Sequence, residues 1–243
     1  MAQAVLRESE EAESRSGDGH PLVKELAGCP AGMARQGAWY GDPVKRALDL
    51  LLAAIGLLLS SPLWALVALS IKLEDRGPVF YRQDRVGKRG KVFQVLKFRS
   101  MVPDAEEAVG PLQSTHGDPR VTRVGRMLRA TALDELPQLW SILQGHMSFV
   151  GPRALRPGEI EVNGNGVCVP LEAVSGYQER HAVVPGLTGL AQVYAPRDIP
   201  RQQKFRFDVL YIRSRSLQLD LRLIAMSLWI SVRGRWEDRD RKF

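Results

Sequence analysis

Residues 50–71 read LLLAAIGLLLSSPLWALVALSI and contain no charged residue. As a helix rising 1.5 Å per residue, a run of this length spans about 33 Å, which is enough to cross the hydrocarbon core of a bilayer. A buried helix in a soluble protein rarely runs this long without a polar face. The segment therefore predicts a helix that inserts into a membrane.

Ser61 and Pro62 interrupt the middle of this segment. Proline cannot donate to the carbonyl of Leu58, so we expect a kink there, with serine hydroxyls satisfying the freed backbone groups. Basic residues flank both ends, at Lys45-Arg46 and from Lys72 onward, and such residues favour the cytoplasmic side of a membrane. A re-entrant helix, which enters and leaves by the same face, suits both ends and is favoured over a single span.

The net charge of +7 is concentrated in two blocks. Residues 72–99 carry nine basic against three acidic side chains, and residues 201–243 carry eleven against five. Such blocks indicate an anionic surface or ligand: membrane lipid, phosphates or nucleic acid. An apolar content of 44% and a charged content of 25% are typical of a globular protein, which excludes wholesale disorder.

The composition divides the chain into four parts. Residues 1–40 are polar and lack sustained periodicity, which predicts a flexible leader rather than a signal peptide. Residues 41–76 hold the membrane helix, residues 77–235 form the main folded domain, and residues 236–243 form a charged tail. The predicted fold class is α+β and mostly helical, with a re-entrant membrane helix, a β-hairpin and a cytosolic helical domain carrying interfacial amphipathic helices.

Two runs rich in aromatic and β-branched residues, 79–86 and 91–99, surround a turn with glycine at both ends. This pattern predicts the hairpin. Its basic residues form either a solvated turn or a cationic ribbon under lipid headgroups, with Lys97 and Arg99 directed at a phosphate.

Helices are also predicted over residues 104–108 and 171–180 and in two segments after residue 200. The last of these, from Leu217 to Arg233, is strongly apolar. Asp220 and Arg222 interrupt it, which favours a helix lying in the membrane interface over one that spans.

An adjacent acidic pair, Asp134-Glu135, lies in the stretch TALDELPQLW, between an arginine-rich run and the sequence MSFVGPR. On the simplest interpretation, Thr131 or Asp134 caps a helix over residues 135–144, with Pro137 tolerated in its first turn. A helix beginning there would also keep the Asp134 carboxylate ionised and favour a nearby phosphate.

Eight short motifs, taken in order, make the chain resemble the bacterial sugar transferases, in particular the small monotopic phosphoglycosyl transferases. They are Lys45-Arg46 with Asp49, Ser61-Pro62, and residues 77–80, 85–87, 97–101, 133–136, 147–153 and 185–189. The resemblance extends from about residue 45 to residue 230. It departs from the family pattern at Ala154, Val184 and Leu190, where proline, arginine and tryptophan are usual, and it implies no particular sugar.

The resemblance implies transfer of a phosphosugar from a UDP-sugar to a polyprenyl phosphate, such as undecaprenyl phosphate, with release of UMP. The implied mechanism is ping-pong: Asp134 is the nucleophile and forms a covalent phosphosugar-aspartate. The implied cofactor is Mg²⁺, with Glu135 and Asp134 as its ligands. These two residues would make up the catalytic pair of a phosphoglycosyl transferase domain.

The remaining predicted site residues bind the substrate. Arg129 and Arg153 match phosphate-binding positions of the family, and Lys97 and Arg99 are expected to assist them. Arg85, Thr188 and Gln192 are the expected contacts to the nucleotide-sugar.

The implied partners are the lipid bilayer, the UDP-sugar and the polyprenyl phosphate. A homo-oligomer is compatible with the resemblance, and nucleic acid is not an expected partner. The implied location is the cytoplasmic face of a bacterial inner membrane, at the first membrane step of exopolysaccharide, capsule, O-antigen or glycoprotein glycan synthesis. One alternative is a non-catalytic, membrane-anchored basic scaffold, which leaves Asp134-Glu135 unexplained. Another is a nucleic-acid binder, suggested by a pI of about 9.7 but lacking a binding motif.

Overall fold

A computed structural model of the chain describes residues 42–103, 118–162, 168–196 and 199–238, together with Val23 and Ala105. Within these ranges the fold is mixed α and β and mostly helical, with three two-stranded sheets. The predicted leader and the predicted helix at 104–108 lie outside the described residues, apart from Val23 and Ala105. Of the predicted tail, only residues 236–238 are described.

Seven helices and six strands make up the described part of the chain. The helices are α1 (Asp42–Asp75), α2 (Arg123–Thr131), α3 (Gln138–Gln144), α4 (Tyr177–Arg180), α5 (Leu190–Tyr194), α6 (Arg201–Ser214) and α7 (Leu217–Arg233). The strands are β1 (Phe80–Val86), β2 (Val92–Phe98), β3 (Ser148–Val150), β4 (Ile160–Val162), β5 (Cys168–Pro170) and β6 (Gly186–Thr188). Single 3-10 turns occupy Lys88–Gly90, Leu133–Glu135 and Leu171–Ala173.

The first helix, α1, is one continuous element of 34 residues that runs through Pro62. The hydroxyl of Ser61 donates a 2.8 Å hydrogen bond to the carbonyl of Leu58, which the proline leaves without its backbone donor. The Ser61 hydroxyl therefore satisfies the carbonyl that the proline leaves free, as predicted. The helix is long and apolar enough to cross a membrane, and the kink at Pro62 stays a prediction.

One face of α1 packs on the rest of the domain along most of its length. In its first half Ala53 packs with Leu139 of α3. In its second half Val67 packs with Phe98 of β2 and Leu128 of α2. The other face presents exposed apolar side chains: Leu51, Ile55, Leu58, Leu59, Leu66, Leu69 and Leu73. The predicted membrane segment is thus also a core element of the domain.

Both ends of α1 are tied to this same domain. At the beginning, Arg46 donates to the carbonyls of Ile142 and Leu143, at 2.5 and 2.7 Å, in the last turn of α3. At the end, both carboxylate oxygens of Asp75 accept hydrogen bonds from the guanidinium of Arg99, which follows β2. The same folded domain therefore holds both ends of α1.

Strands β1 and β2 pair antiparallel, with Phe80 opposite Phe98. Successive side chains of a strand point to opposite faces. Val95 belongs to the core cluster on α3, whereas Phe98 belongs to the cluster between α1 and α2. Lys97 lies two residues after Val95 and therefore on the same face of β2. On this face its ammonium group reaches Glu135.

The chain around the acidic pair departs from the predicted helix. Helix α2 ends at Thr131, whose hydroxyl donates back to carbonyls of α2, and Ala132 follows in the left-handed conformation with φ of 57°. Asp134 then lies in a 3-10 turn, and α3 begins only at Gln138. The prediction that Thr131 or Asp134 caps a helix over residues 135–144 was wrong. The left-handed Ala132 ends α2, and a separate 3-10 turn precedes α3.

Residues 171–180, predicted as one helix, form a 3-10 turn and the separate α4. Gly176 lies between the two with φ of 90°. A left-handed residue ends a right-handed helix, and glycine adopts this conformation at little cost. The prediction of a single helix was therefore wrong at this glycine.

Helices α6 and α7 form a further core with α5, through buried residues that include Leu190, Val193, Phe207, Leu223 and Ile230. Asp220 lies on the buried face of α7, only 1% exposed, and accepts hydrogen bonds from Lys45 and Tyr211. Asp220 therefore belongs to the core of the domain, and the predicted interfacial position of α7 stays a prediction. The exposed apolar side chains of α7 are Leu217, Leu221, Leu228, Trp229 and Val232.

Candidate active site

The predicted motifs at residues 147–153 and 185–189 come together as a parallel pair. Strand β3 pairs with β6, with Ser148 opposite Gly186, and the amide of Gly186 donates to the carbonyl of Pro152 at 2.9 Å. The backbones are so close that a Cβ on Gly186 would lie 2.0 Å from the amide nitrogen of Gly151. Glycine is required for this close approach. The backbone of Arg153, just beyond β3, also pairs with Gly186, so the position of Arg153 is fixed beside β6.

Arg153 is also fixed through its backbone by a buried ion pair that the sequence analysis missed. Arg180 donates to the Arg153 carbonyl at 2.5 Å and to Asp208 of α6 at 3.0 Å. The guanidinium of Arg180 also lies over the ring of Phe205, 4.6 Å from its centre. The one available signal was the position of Asp208 within the apolar run of α6, because nothing local links it to Arg180.

Glu135 is held by two cations from separate segments. Its Oε1 accepts hydrogen bonds from Lys97 Nζ at 2.7 Å and from Arg153 Nη2 at 3.0 Å. Burial would raise the pKa of Glu135, but the attraction of Lys97 and Arg153, together with their hydrogen bonds, lowers this pKa below its ordinary value. Glu135 is therefore ionised in the folded protein.

Asp134 has the opposite electrostatic environment. The residue is 9% exposed, and burial raises its pKa above the ordinary value of 3.8; the positive charge of Lys97 opposes this shift and the negative charge of Glu135 adds to it. The expectation that a helix terminus keeps Asp134 ionised was wrong, since the residue lies in a 3-10 turn. Adjacent carboxyl groups with pKa values shifted in opposite directions are typical of catalytic sites.

Two further predicted arginines lie near this pair. Arg129 of α2 lowers the pKa of Asp134 through its charge and forms a 3.5 Å ion pair with Glu237. Arg85 of β1 donates to the carbonyl of Ala154 at 2.8 Å. Burial, followed by the repulsion of neighbouring arginines, lowers the pKa of Arg85 to about 10.

A small cavity lies beside Glu135, and its polar side chains are those of Arg85, Lys97, Glu135, Gln138 and Arg153. The sequence analysis missed Gln138, although it follows Asp134 by four residues. Gln138 is 4% exposed, and its Nε2 has no hydrogen-bond partner among the described residues. A buried donor left unsatisfied costs about 1–3 kcal/mol, a cost that a ligand oxygen would remove.

Five predicted site residues do not line this cavity: Asp134 and Arg129, described above, and Arg99, Thr188 and Gln192. Arg99 donates to the carbonyl of Pro78 at 2.6 Å as well as to the end of α1. Thr188 shares a hydrogen bond with Ser227 of α7, and Gln192 is buried on α5. These placements give no support to the predicted phosphate contact of Arg99 or to nucleotide contacts by Thr188 and Gln192.

The acidic pair fits a magnesium ion that shares its ligands with a substrate. Among the described residues, no three His, Cys, Asp or Glu side chains cluster to form a metal cage. Mg²⁺ commonly uses only one or two carboxylates, together with water and substrate phosphates. Both cation contacts of Glu135 fall on Oε1, which leaves its Oε2 for a metal, with Asp134 adjacent.

Comparison with known proteins gives one family. The model of the bacterial sugar transferase family matches residues 40–234. The chain is 42% identical to the exopolysaccharide production protein PSS of Rhizobium leguminosarum bv. phaseoli, over 74% of this chain and 91% of that protein. It is 42% identical to the undecaprenyl-phosphate glucose phosphotransferase of Komagataeibacter xylinus, over 76% of this chain and 35% of that protein. It is 41% identical to the UDP-glucose:undecaprenyl-phosphate glucose-1-phosphate transferase of Escherichia coli K12, over 76% of this chain and 39% of that protein.

Proposed function

The chain belongs to the bacterial sugar transferase family, and from this premise we propose that it transfers a sugar 1-phosphate from a UDP-sugar to undecaprenyl phosphate and releases UMP. Two of the relatives are named for such a transfer to undecaprenyl phosphate. The observation that carries the proposal is the buried Asp134 beside an ionised Glu135 that Lys97 and Arg153 hold in place.

In the first step a carboxylate oxygen of Asp134 attacks the β-phosphorus of the UDP-sugar. The bond from this phosphorus to the oxygen that bridges to the α-phosphate breaks, UMP leaves, and the phosphosugar stays bonded to Asp134. In the second step a phosphate oxygen of undecaprenyl phosphate attacks the same phosphorus. The bond to Asp134 breaks, the carboxylate is regenerated, and the sugar is left on a lipid diphosphate.

The surrounding cations suit this chemistry. Lys97 and Arg153 reach the residue next to the nucleophile, where charge-assisted hydrogen bonds can stabilise the phosphoryl oxygens in the transition state. Burial raises the pKa of Asp134, so its carboxylate, once ionised, is more basic than an exposed one. Mg²⁺ held by Glu135 and Asp134 would neutralise charge on the diphosphate and favour departure of UMP.

We also propose that α1 is re-entrant and that the domain lies on the cytoplasmic face of the inner membrane. The hydrogen bonds of Arg46 and Asp75 tie both ends of α1 to one domain, which supports a helix that returns to the side it came from. The exposed apolar face of α1 suits contact with lipid. In this arrangement the acidic pair lies near the headgroup plane, within reach of a membrane-held phosphate.

Intact-mass analysis tests the proposal. The purified full chain is incubated with Mg²⁺ and each of a panel of UDP-sugars, without undecaprenyl phosphate. We expect a mass increase of one phosphosugar with the correct donor, and no increase in Asp134→Asn. An adduct that persists in Asp134→Asn would remove Asp134 from the mechanism. If no donor gives an adduct, and none gives UMP even with undecaprenyl phosphate present, the scaffold alternative is favoured.

A further inference from the structure

A second cavity, of about 230 Å³, lies beside the start of α1. Its lining includes four basic residues from separate parts of the chain: Lys45, Arg46, Lys88 and Arg215. Among its described lining residues, only Asp49 is acidic. Met147 alone is shared with the cavity over Glu135, so this is a different site from the proposed active site.

Part of this positive charge has no acidic partner among the residues that the structure describes. Lys45 pairs with Asp220 at 2.5 Å, and Arg46 donates to neutral backbone carbonyls. In the part of the chain that the structure describes, no carboxylate lies within ion-pair distance of Arg46 or Lys88. The carboxylate of Asp49 accepts from the amide of Phe149 at 3.0 Å. The cavity therefore carries a net positive charge.

The lining also contains a buried hydroxyl, that of Ser148, with no partner in the described ranges. Ser148 is 2% exposed, and its Oγ has no hydrogen-bond partner among the described residues. Buried polar groups in folded proteins are normally satisfied, so such an exception needs an explanation. Ammonium, guanidinium and hydroxyl groups together are donors that suit the oxygens of a phosphate.

The position of the cavity identifies the source of that phosphate. Lys45 and Arg46 precede the charge-free run of α1, which begins at residue 50, and Arg215 precedes Leu217, the first exposed apolar residue of α7. Basic residues beside a membrane segment attract anionic lipid headgroups. The volume is also below the roughly 300–1,000 Å³ of pockets for larger ligands, which suits one headgroup rather than a nucleotide-sugar.

We propose that this cavity binds the phosphate headgroup of an anionic glycerophospholipid. The bound headgroup would join the first turn of α1, the hairpin turn at Lys88 and the junction of α6 and α7 at Arg215. It would thereby stabilise the docking of the membrane helix on the domain. The proposal rests on the membrane placement of α1 and is independent of the chemistry at Asp134.

The test compares the full chain in nanodiscs of phosphatidylcholine alone with nanodiscs that also contain phosphatidylglycerol. We expect phosphatidylglycerol to raise the Tm of the wild type by roughly 3–6 °C, and Lys88→Gln to lose most of this rise. Lys91→Gln is the matched control: Lys91 is an exposed lysine beside the same turn that does not line the cavity. It should keep the rise. Because the readout is the difference between the two lipids, any change in baseline stability cancels.

An equal loss in Lys88→Gln and Lys91→Gln would overturn the proposal, because it would indicate attraction to the surface charge of the membrane alone. No rise in the wild type would overturn it as well. Two further arms use phosphatidylcholine nanodiscs with either inorganic phosphate or undecaprenyl phosphate. Protection that depends on Lys88 in one of these arms, and not with phosphatidylglycerol, would assign the cavity to free phosphate or to the acceptor lipid instead.

Discussion

Lys97 Nζ lies 2.7 Å from Glu135 Oε1, and this contact joins strand β2 to the turn that carries Asp134. The nearest cation is thus hydrogen-bonded to the second carboxylate of the pair rather than to the first. Glu135 is kept ionised, whereas burial raises the pKa of Asp134. The two adjacent acidic residues, Asp134 and Glu135, therefore differ in their affinity for a proton.

The raised pKa of Asp134 predicts a pH-dependent loss of stability. The folded state binds this proton more tightly than the unfolded state, so folding stability falls as the pH rises from 3.8 through the folded pKa, and the loss is complete above it. Asp134→Asn cannot ionise, and we expect it to be more stable than the wild type by about 3 kcal/mol at pH 8 and by little at pH 4. Thermal unfolding in detergent at several pH values measures this, and a pH-independent difference would contradict it.

Glu135→Gln should weaken the magnesium dependence of turnover. Because the substitution removes a proposed ligand, we expect the Mg²⁺ concentration for half-maximal rate to rise about 10-fold or more. The measurement is UMP release across a magnesium titration. Glu179→Gln is the control, since Glu179 forms an exposed ion pair with Arg213 and should leave the titration unchanged. An unaltered titration in Glu135→Gln would count against its role as a ligand.

Gln138→Leu should lower activity with little loss of stability. The Nε2 donor is buried and has no hydrogen-bond partner in the described part of the chain, so an apolar side chain of similar size removes a cost rather than a contact. If this donor binds substrate, we expect kcat/KM to fall about 10-fold or more while Tm stays within a few degrees. Gln144→Leu, at the exposed end of the same helix, is the matched control. A large drop in Tm with normal kcat/KM would assign Gln138 to the core.

The re-entrant arrangement of α1 predicts that its two ends react from the same side. Single cysteines replace Val44 or Leu73, which are both exposed, in a background that carries Cys29→Ser and Cys168→Ser. A membrane-impermeant maleimide should label both positions in inverted vesicles and neither in intact spheroplasts. Labelling of one position in each preparation would indicate a single span.

The elements with strong local signals were predictable from the sequence. The charge-free run at residues 50–71 predicted a long apolar helix, which the structure shows as α1, and the glycines around Lys88 predicted the turn between β1 and β2. The motif resemblance singled out Glu135, Lys97 and Arg153, which the structure brings into hydrogen-bond contact. In each case the prediction depends on a short stretch of the chain or on the resemblance of that stretch to a family motif.

Features that depend on contacts between distant segments were not predictable. The left-handed conformation of Ala132 moved the start of α3 away from Asp134, and no residue preference favours alanine there. Arg99 and Lys97 are two residues apart with the same charge, but Arg99 is tied to the end of α1. Asp220 looked like a surface residue because its partner, Lys45, is 175 positions earlier in the chain.

The packing of α1 has a consequence for making a water-soluble form of the protein. Removing the helix would take Ala53 and Val67 out of two core clusters and leave Leu139, Phe98 and Leu128 facing solvent. Truncation should therefore give an aggregating remnant rather than a free, folded domain. A soluble form instead requires α1 to stay in place, with polar residues substituted on its outer face alone, at Leu51, Ile55, Leu58, Leu59, Leu66, Leu69 and Leu73.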